Sequence, residues 1–422
     1  MTVSEPATPL GLTRKPFYGL HPVSWAIYRT TWWIWWMVDK VMFRTRCKGL
    51  ETLEDAGPVL LLSNHVGLLD PFWVALHIWR PSRFMAASSV LKIPLLGPYL
   101  GVLGAFPKMK YVKDRESMKT LADHYDNGLV ITVFPEGVRT WTGRPGVILP
   151  GIGRLIKRLD ARVLYGRIRS GYYILPRWAK YPRYVPLDID YFGPVTYDPA
   201  LSDEAITEDV RMHLAVEPVR DTSRVAFGFR LAEGLTDLLW ACPSCFSLES
   251  LRVQGWRRRD IGCADCGATW RLDVDTVLNG QGDAPTLRVD AAYDRIRAHF
   301  GDPPVFDPER RERDGVVAHA DLVRVRHMRH SGAPALVAEG ALEVQADRLR
   351  VRGAGDAVWE LDFDDLLSVS TEVGSQVFLR RASEHPRGDL FRLETPGHAS
   401  LKWGTLIQAW HHAHRDRGDA TG

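Results

Sequence analysis

The chain has 422 residues, which is too long for a single hydrophobic core, so two or three domains are expected. Apolar residues make up 45% of the chain and charged residues 25%, and these values exclude a disordered or fibrous protein. The formal net charge of +3 is too small to indicate nucleic acid as a partner of the whole chain, so each basic patch is considered by itself.

Residues 1–12 contain neither a basic stretch nor an apolar stretch, so a secretory signal peptide is not expected there. We therefore expect the chain to act in the cytoplasm, where a reducing environment disfavours disulfides. Four of the five cysteines form two Cys-x-x-Cys pairs, which favour metal binding in that compartment, and Cys47 is expected to be a packing residue.

Tryptophan is concentrated near the N terminus, where we predict a helix within residues 18–48. Five of the fifteen tryptophans lie there: Trp25, Trp32, Trp33, Trp35 and Trp36. The longest apolar run has seven residues, which is too short to span a bilayer. Indole rings favour the headgroup region, and the first 50 residues carry seven Lys and Arg against two Asp and Glu. The segment predicts an interfacial helix of a peripheral membrane protein on the cytoplasmic face, with a buried helix as the alternative.

Short apolar runs alternate with helical patterns between residues 58 and 195, which indicates an α/β layer structure. The predicted strands cover residues 58–62, 83–87, 104–107, 129–134, 172–179 and 184–192. The predicted helices cover residues 71–80, 91–102 and 115–125, and two more are expected at 202–216 and 223–240.

A histidine and an aspartate follow the first predicted strand, in the segment Asn64-His65-Val66-Gly67-Leu68-Leu69-Asp70. Asp70 precedes Pro71, a good pattern for a helix start, and Gly67 allows a sharp turn. A carboxylate on one imidazole nitrogen leaves the other able to take a proton from a hydroxyl group. His65 and Asp70 are therefore candidates for a general base and its orienting group. The alternative is that Asp70 only caps the helix and His65 is an ordinary polar residue.

A second polar loop, Phe134-Pro135-Glu136-Gly137-Val138-Arg139-Thr140, follows another apolar strand. Ligands collect at strand ends of open α/β sheets, glycine permits close approach of a substrate, and Arg139 offers a planar fork that suits a phosphate. Lys108 and Lys110 lie near a further strand end and add two cations to the same domain.

At these residues the sequence resembles the glycerolipid acyltransferase family, which includes the bacterial 1-acyl-glycerol-3-phosphate acyltransferases. The resemblance covers residues 58–194 and implies an open α/β sheet with flanking helices, in an acyltransferase domain that we place at residues 49–235. It implies that His65 and Asp70 are the catalytic pair, and that Lys110, Glu136, Gly137 and Arg139 bind the acceptor substrate.

The resemblance also implies the reaction. His65 removes the proton of the acceptor hydroxyl, the oxygen attacks a thioester carbonyl, and the thiol leaves. The donor is then acyl-CoA or acyl carrier protein, and the acceptor is a lysophosphatidate or a related lysophospholipid. No serine or cysteine in these motifs stands beside the histidine as a nucleophile, so direct transfer is favoured over a covalent acyl-enzyme.

The sequence departs from the family pattern in three places. Gly67 stands where serine is common, and Lys110 stands where an arginine often ends the middle motif, which keeps the charge but loses the bidentate geometry. The later apolar motif with proline is replaced by residues 163–168, so the acceptor is left open. Arg167 and Arg169 are either parts of an altered headgroup pocket or solvated surface residues.

The two cysteine pairs lie within a segment that resembles a zinc ribbon, which we place at residues 236–276. Cys242 and Cys245 are separated by 17 residues from Cys263 and Cys266, a spacing that brings four thiolates around one Zn²⁺. Four protein ligands leave no open position, so the zinc is predicted to be structural. Trp256 and Trp270 are expected to pack in the ribbon.

Arg257, Arg258 and Arg259 lie between the cysteine pairs. Three interpretations stay open for this run: contact with nucleic acid, contact with anionic lipid, and a solvated surface.

The C-terminal part of the chain differs in character from the rest. Residues 277–314 are expected to be a polar linker with a short helix near 291–300. Residues 315–416 show strand patterns at 341–351, 358–362, 368–380 and 390–394, closed by a helix at 401–415. This β-rich domain faintly resembles a pleckstrin-homology-like domain.

The leading hypothesis is thus a peripheral membrane enzyme of the 1-acylglycerol-3-phosphate O-acyltransferase type, with membrane lipids as partners and no nucleic acid expected. The alternative is a non-catalytic lipid-binding scaffold with a degenerate acyltransferase fold. A nucleic-acid binder is disfavoured by the modest net charge.

Overall fold

The computed structural model describes residues 22–419, except 51–56, 79, 88–90, 92–93, 109–114, 330–332, 354–357, 373–375, 385–387, 396 and 398. The chain forms two compact units. Unit 1 comprises the residues up to Arg177 together with Pro182–Gly228, and unit 2 comprises Trp178–Tyr181 and Phe229–Gly422.

The centre of unit 1 is a seven-stranded sheet. Its strands are β1 (Arg46–Lys48), β2 (Val59–Ser63), β3 (Ser82–Ala87), β4 (Ala105–Lys108), β5 (Val130–Val133), β6 (Val163–Ile168) and β8 (Asp188–Val195), in the order β1-β8-β6-β2-β5-β3-β4. Only the β6 and β8 pair is antiparallel among these described neighbours. Strands β2 and β5 are buried at every position, which explains why both are continuous apolar runs. A separate two-stranded ladder joins β7 (Arg183–Tyr184) to β9 (Phe227–Gly228).

Helices cover the sheet of unit 1. They are α2 (Asp70–Leu76), α3 (Leu96–Val102), α4 (Arg115–Asp126), α5 (Ile152–Leu159), α6 (Gly171–Ile174) and α7 (Asp203–Leu214). Apolar side chains of α4, α5 and α7 share one core with β2, β5 and β6. The strand expected at residues 172–179 is wrong, because this stretch begins as the short helix α6, and the sheet position is filled by β6 instead.

The tryptophan-rich segment is helical. Helix α1 (Pro22–Val38) continues into a π-helical turn (Asp39–Phe43). Trp32 is buried and its Nε1–H donates to the carbonyl of Leu76 at 2.8 Å, whereas Trp33 and Ile34 are largely exposed. Among the described residues, none of the helices combines the length and the apolar character that crossing a bilayer requires.

Unit 2 begins with a cysteine-rich antiparallel sheet. Its strands are β10 (Leu251–Gln254), β11 (Asp260–Cys263), β12 (Thr269–Leu272), β13 (Val277–Gln281) and β14 (Leu287–Arg288), paired in chain order. The short helix α8 (Leu235–Leu238) precedes this sheet, and α9 (Val289–Phe300) and α10 (Pro308–Asp314) follow it. The segment expected to be a linker therefore contributes two strands and two helices, because its turn at Gly282 closes a hairpin.

The rest of unit 2 is a second seven-stranded sheet, antiparallel throughout, closed by one helix. The strands are β15 (Val316–His327), β16 (Ala335–Gln345), β17 (Arg348–Arg352), β18 (Val358–Asp362), β19 (Leu366–Glu372), β20 (Gln376–Arg381) and β21 (Asp389–Glu394), in the order β18-β17-β16-β15-β21-β20-β19. Helix α11 (Ser400–Asp419) contributes Trp403 and Trp410 to the core of this sheet.

Three secondary-structure predictions need correction. The helix expected at residues 223–240 is mostly loop, with only β9 and α8 inside it. The single strands expected at 341–351 and 368–380 each correspond to two antiparallel strands, β16 with β17 and β19 with β20. The predicted fold class is confirmed: an open α/β sheet with flanking helices, a small cysteine-rich sheet and a β-rich C-terminal domain.

Candidate active site

The loop that carries His65 is fixed to the sheet by the residue before it. Asn64 is buried, its Nδ2–H donates to the carbonyl of Ile168 at 2.9 Å, and its Oδ1 accepts the N–H of Ile168 at 2.8 Å. Both bonds reach across to the neighbouring strand β6, so the carboxyl end of β2 cannot move independently of the sheet. The amide of Asn64 thus holds the backbone from which His65 projects.

His65 and Asp70 form a direct pair. His65 Nδ1 lies 2.8 Å from Asp70 Oδ2, and the His65 side chain is 19% exposed while that of Asp70 is fully buried. The same Oδ2 accepts the N–H groups of Val66 at 2.6 Å and Gly67 at 2.8 Å. A carboxylate held by two main-chain donors has a fixed direction, so it also fixes the orientation of the imidazole ring.

This arrangement corrects two details of the sequence prediction. Asp70 is the first residue of α2 and its carboxylate turns back to the loop, while Leu69 stands at the cap position without a side-chain bond. Gly67 does not adopt a left-handed conformation, and a Cβ there would lie close to Asp70 Oδ1, at 3.1 Å.

The second motif loop is joined to the first through Glu136. Its Oε1 accepts the N–H of His65 at 3.1 Å and its Oε2 accepts the N–H of Gly146 at 3.1 Å. The N–H of Thr140 donates to the carbonyl of His65 at 3.0 Å. Burial raises the pKa of Glu136 to about 7, although the N–H groups of His65 and Gly146 oppose the shift. The two loops, distant in sequence, therefore meet at His65.

Glycines allow these close approaches. Gly137 has a φ of +70°, and a Cβ there would lie 2.8 Å from a methyl group of Leu149. A Cβ on Gly146 would come within 2.4 Å of Glu136 Oε2. Gly146 was not singled out in the sequence, although its place a few residues after the Glu136 motif is the signal that would have found it.

Aromatic packing positions the imidazole from the other side. The ring of Phe134, the first residue of the second motif, stacks on His65 with 4.3 Å between centroids and 25° between planes. Phe134 directly follows the buried strand β5, which pairs in parallel with β2, so the two motif loops lie at the same edge of the sheet. This edge, formed by the carboxyl ends of parallel strands, is where open α/β sheets bind ligands.

A buried arginine supports the loop that carries Arg139. Arg177 donates from Nη1 to the carbonyl of Arg139 at 2.9 Å, and its guanidinium lies 4.4 Å from the centre of the Trp141 ring. The hydroxyl of Tyr172 donates to the carbonyl of Trp141 at 3.1 Å. Neither Arg177 nor Tyr172 was identified from the sequence, because the stretch that contains them resembled a strand. Arg139 itself is half-buried.

The remaining predicted cations are placed differently. Lys110 lies outside the described residues, as does the side chain of Lys108. Arg167 contacts the carbonyl and Nδ1 of His213 at 2.6 and 3.0 Å, and Arg169 lies 3.1 Å from Asp190. The structure thus gives Arg167 and Arg169 contacts within the fold.

An apolar cleft is lined in part by Pro71 and Phe72, in the first turn of α2. The cleft lies between α1, α2 and β3. Its lining is mostly apolar and includes Trp32, Trp35, Phe72, Ala75 and Phe84. Phe72 belongs to the first turn of α2, two residues after Asp70, so the cleft and the carboxylate share one helix.

The four paired cysteines of unit 2 converge. Cys242 Sγ and Cys266 Sγ are 3.8 Å apart, Cys245 Sγ and Cys263 Sγ are 3.7 Å apart, and all four sulfurs lie within 4.8 Å of one another. Four sulfurs at about 2.3 Å from one tetrahedral zinc would be separated by about 3.8 Å, so the arrangement fits Zn²⁺. The hydroxyl of Ser250 lies 3.2 Å from Cys263 Sγ, and the N–H of Ser244 donates to Cys242 Sγ at 3.3 Å.

One family model matches the part of the chain that contains His65, Asp70 and the Glu136 loop. Residues 44–180, less than half of the chain, match the model described as Acyltransferase. The crystal structure of the 1-acyl-sn-glycerophosphate (LPA) acyltransferase PlsC from Thermotoga maritima is similar at 18% identity and a TM-score of 0.39, over 46% of this chain and 82% of that chain. A search of the curated proteins found no match.

Proposed function

We propose that unit 1 transfers a fatty acyl group from a thioester, carried by coenzyme A or an acyl carrier protein, to the hydroxyl of a lysophosphatidate or related lysophospholipid. The observation that carries this proposal is the His65–Asp70 pair, 2.8 Å apart, beside the loop of Glu136 and Arg139 within an acyltransferase-family domain. Both loops lie where ligands collect in α/β sheets.

We infer the proton positions from the His65–Asp70 contact. With Nδ1–H donating to Asp70 Oδ2, the Nε2 of His65 carries the lone pair and accepts the proton of the acceptor hydroxyl. The oxygen then attacks the thioester carbonyl, the carbon–sulfur bond breaks, and the leaving thiolate takes the proton from the imidazolium. The products are an ester and a thiol. Asp70 stabilises the positive charge that the ring carries between the two steps.

The headgroup is recognised by the loop after β5. Arg139 stands three residues after Glu136, and its planar guanidinium suits the bidentate binding of a phosphate. Arg177 supports that loop through the carbonyl of Arg139. Glu136, whose two oxygens both accept main-chain N–H groups, fixes the distance between His65 and this loop instead of contacting the phosphate.

In this proposal, α1 and α2 contact the lipid chain and the membrane. The apolar cleft next to Phe72 would bury part of a fatty acyl chain, because each methylene group that leaves water there is favourable by about 0.8 kcal/mol. Trp33 and Ile34 of α1 are exposed and belong to the segment with excess positive charge. We infer that α1 lies in the headgroup region on the cytoplasmic face of a membrane.

Zinc has a structural role in this proposal. Cys242, Cys245, Cys263 and Cys266 would hold one Zn²⁺ with four thiolates, which leaves no coordination position for a substrate. The ion would cross-link the small sheet β10–β14 and would take no part in the acyl transfer.

The experiment is product identification by mass spectrometry. The purified full-length chain is offered a panel of lysophospholipids with acyl-CoA and with acyl carrier protein, and we expect one acyl ester and one thiol per turnover. His65→Ala should abolish the product, and His319→Ala, a change of a half-exposed histidine in unit 2, should not. Full turnover by His65→Ala would contradict the base assignment. Binding to vesicles without turnover by the unaltered chain would favour the scaffold alternative.

A further inference from the structure

The hairpin between β10 and β11 presents a tryptophan to solvent. Trp256 is 85% exposed, which corrects the expectation that it packs in the cysteine-rich sheet; Trp270 fills that role and is fully buried. Positive φ angles at Gly255 and Arg258, +70° and +52°, close the tight turn that holds Trp256 outward. A large apolar side chain at the tip of a short hairpin exposes apolar area to water, and covering this area with another apolar surface is favourable.

The charges around this tip are mostly positive. The Arg257 guanidinium lies 4.8 Å from the centre of the Trp256 ring. Arg258 and Arg230 share one carboxylate, that of Glu233, at 2.6 and 2.7 Å. These residues comprise three arginines and one glutamate, so their summed charge is positive.

A second exposed aromatic group lies beside the hairpin. The N–H of Ala232 donates to the carbonyl of Arg258 at 3.0 Å, so the segment that contains Phe229 and Arg230 is tied to the turn. Phe229 is 73% exposed. The guanidinium of Arg230 lies 5.0 Å from the centre of the Tyr181 ring, which is 41% exposed. Exposed rings thus alternate with guanidiniums within unit 2.

We propose that this aromatic–arginine tip, formed by Tyr181, Phe229, Arg230, Trp256 and Arg257, docks unit 2 on an anionic lipid surface. Indole and phenol rings favour the headgroup layer, where one end of the ring is apolar and the other is wet, and arginines pair with lipid phosphates. Each cation near such a surface contributes about 1 kcal/mol, or about fivefold in affinity.

Lipid fits these contacts better than nucleic acid. Of the arginines in the 257–259 run, Arg258 is held by Glu233 and by the carbonyl of Val253 at 3.1 Å, so the run does not present three guanidiniums to a phosphate backbone. Rings that project singly suit insertion among headgroups. The choice of a lipid surface also rests on the proposed function, which gives unit 1 a substrate in the same membrane.

Vesicle sedimentation of the full chain tests this assignment. Phosphatidylglycerol-containing vesicles are compared with pure phosphatidylcholine vesicles, for the unaltered chain, Trp256→Ala and Arg257→Glu. We expect each change to weaken binding to the anionic vesicles by about tenfold, and added salt to reduce the effect of Arg257→Glu. Leu367→Ala and Arg313→Glu alter exposed residues of the same unit and serve as matched controls with unchanged binding.

Two further measurements make the result decisive. Circular dichroism and thermal unfolding identify variants that fail to fold. The variant Trp256→Phe keeps an aromatic ring and should bind vesicles better than Trp256→Ala. The proposal is overturned if Trp256→Ala and Arg257→Glu are folded and bind vesicles as the unaltered chain does. It is also overturned if both variants keep vesicle binding but lose a salt-sensitive binding of an RNA oligonucleotide. Acyl transfer to a detergent-dispersed lysolipid should be unaffected in both variants. If the unaltered chain transfers no acyl group but its vesicle binding is lost in Trp256→Ala, the proposed function is refuted while the docking tip is supported.

Discussion

The side chain of Glu136 holds the main chain of His65: Oε1 accepts the N–H of His65 at 3.1 Å, while Oε2 accepts the N–H of Gly146 at the same distance. The N–H of Thr140 donates to the carbonyl of His65, so both the N–H and the carbonyl of His65 are hydrogen-bonded to the second motif loop. A carboxylate is suited to this position because it has two oxygens that accept and no group that donates. Glu136 is therefore a positioning residue for His65.

Glu136→Gln should change the pH dependence of stability. Because burial raises the pKa of Glu136 from 4.5 to about 7, the folded state binds a proton more tightly than the unfolded state. The contribution of Glu136 to the unfolding free energy should therefore fall as the pH rises from about 4.5 to about 7, by up to about 3 kcal/mol, and this slope should appear in the difference between the unaltered chain and the variant. Denaturant unfolding of both proteins at several pH values measures it. Parallel curves would contradict the raised pKa.

Glu136→Gln should also slow the reaction. The amide group of glutamine would face either the N–H of His65 or that of Gly146, so one of the two hydrogen bonds would be lost at a cost of about 1–3 kcal/mol. We expect kcat to fall more than KM rises, since the defect lies in the placement of His65. A variant that changes only the KM for the lysolipid would instead indicate direct contact between Glu136 and the headgroup.

Asp70→Asn should lower turnover while substrate binding is largely kept. The Oδ2 of Asp70 accepts the N–H groups of Val66 and Gly67 in addition to the His65 contact. An asparagine oxygen could accept the same bonds, but the neutral amide stabilises a positively charged imidazole less, and its NH₂ group would stand in the buried position of Oδ1, which has no hydrogen-bond partner among the described residues. We expect kcat to fall by at least about a hundredfold. Asp126→Asn alters an exposed carboxylate of the same unit and serves as the control. Unchanged kcat in Asp70→Asn would remove the orienting role of Asp70.

Arg177→Lys should weaken the binding of the acceptor. Lysine keeps the charge but loses the planar group that both donates to the carbonyl of Arg139 and stacks on Trp141. The loop that presents Arg139 should then be less well ordered, and we expect the KM for the lysophospholipid to rise by about tenfold with a smaller change in kcat. Steady-state kinetics at saturating donor measure this split. Arg158→Lys, an exposed substitution on α5, is the matched control, and an equal effect of both changes would refute the role of Arg177.

Removal of metal should destabilise the cysteine-rich sheet. We expect one zinc ion per chain by elemental analysis, and its loss in Cys245→Ser, since all four sulfurs converge on one point. Chelation should lower the thermal unfolding midpoint of unit 2 by on the order of 10 °C. Cys47→Ser, in unit 1, should retain the metal. A metal-free chain with unchanged unfolding would exclude the zinc ribbon.

The parts of the site that were predictable lie in continuous motifs. Buried strands followed by polar loops indicated where His65 and the Glu136 loop would lie, because parallel strands end at a common edge. Arg177 was missed because it reaches Arg139 across 38 positions, a contact that only tertiary packing creates. The tyrosines of α6 have a high strand propensity, yet burial among neighbouring elements overrides it.

In the cysteine-rich segment, too, some features could be predicted from the sequence and others could not. The spacing of its four thiols predicted their convergence, because the ligand geometry of zinc constrains that spacing tightly. Which of the two tryptophans would be buried could not be read from composition. Trp270 lies in β12 and faces the core, whereas Trp256 falls in a turn where no alternation of faces applies.

Helix α1 and the candidate catalytic carboxylate are mechanically linked. Trp32 of α1 is bonded to the carbonyl of Leu76 at the last turn of α2, Trp35 stacks on Phe72 at 5.6 Å, and α2 starts with Asp70. On a bilayer, the tilt of α1 would therefore determine the direction in which His65 opens before any substrate arrives. Under the proposed function, encounter with a lysolipid would be diffusion within the plane of the membrane, and the rate would follow the surface density of the lipid rather than its bulk concentration.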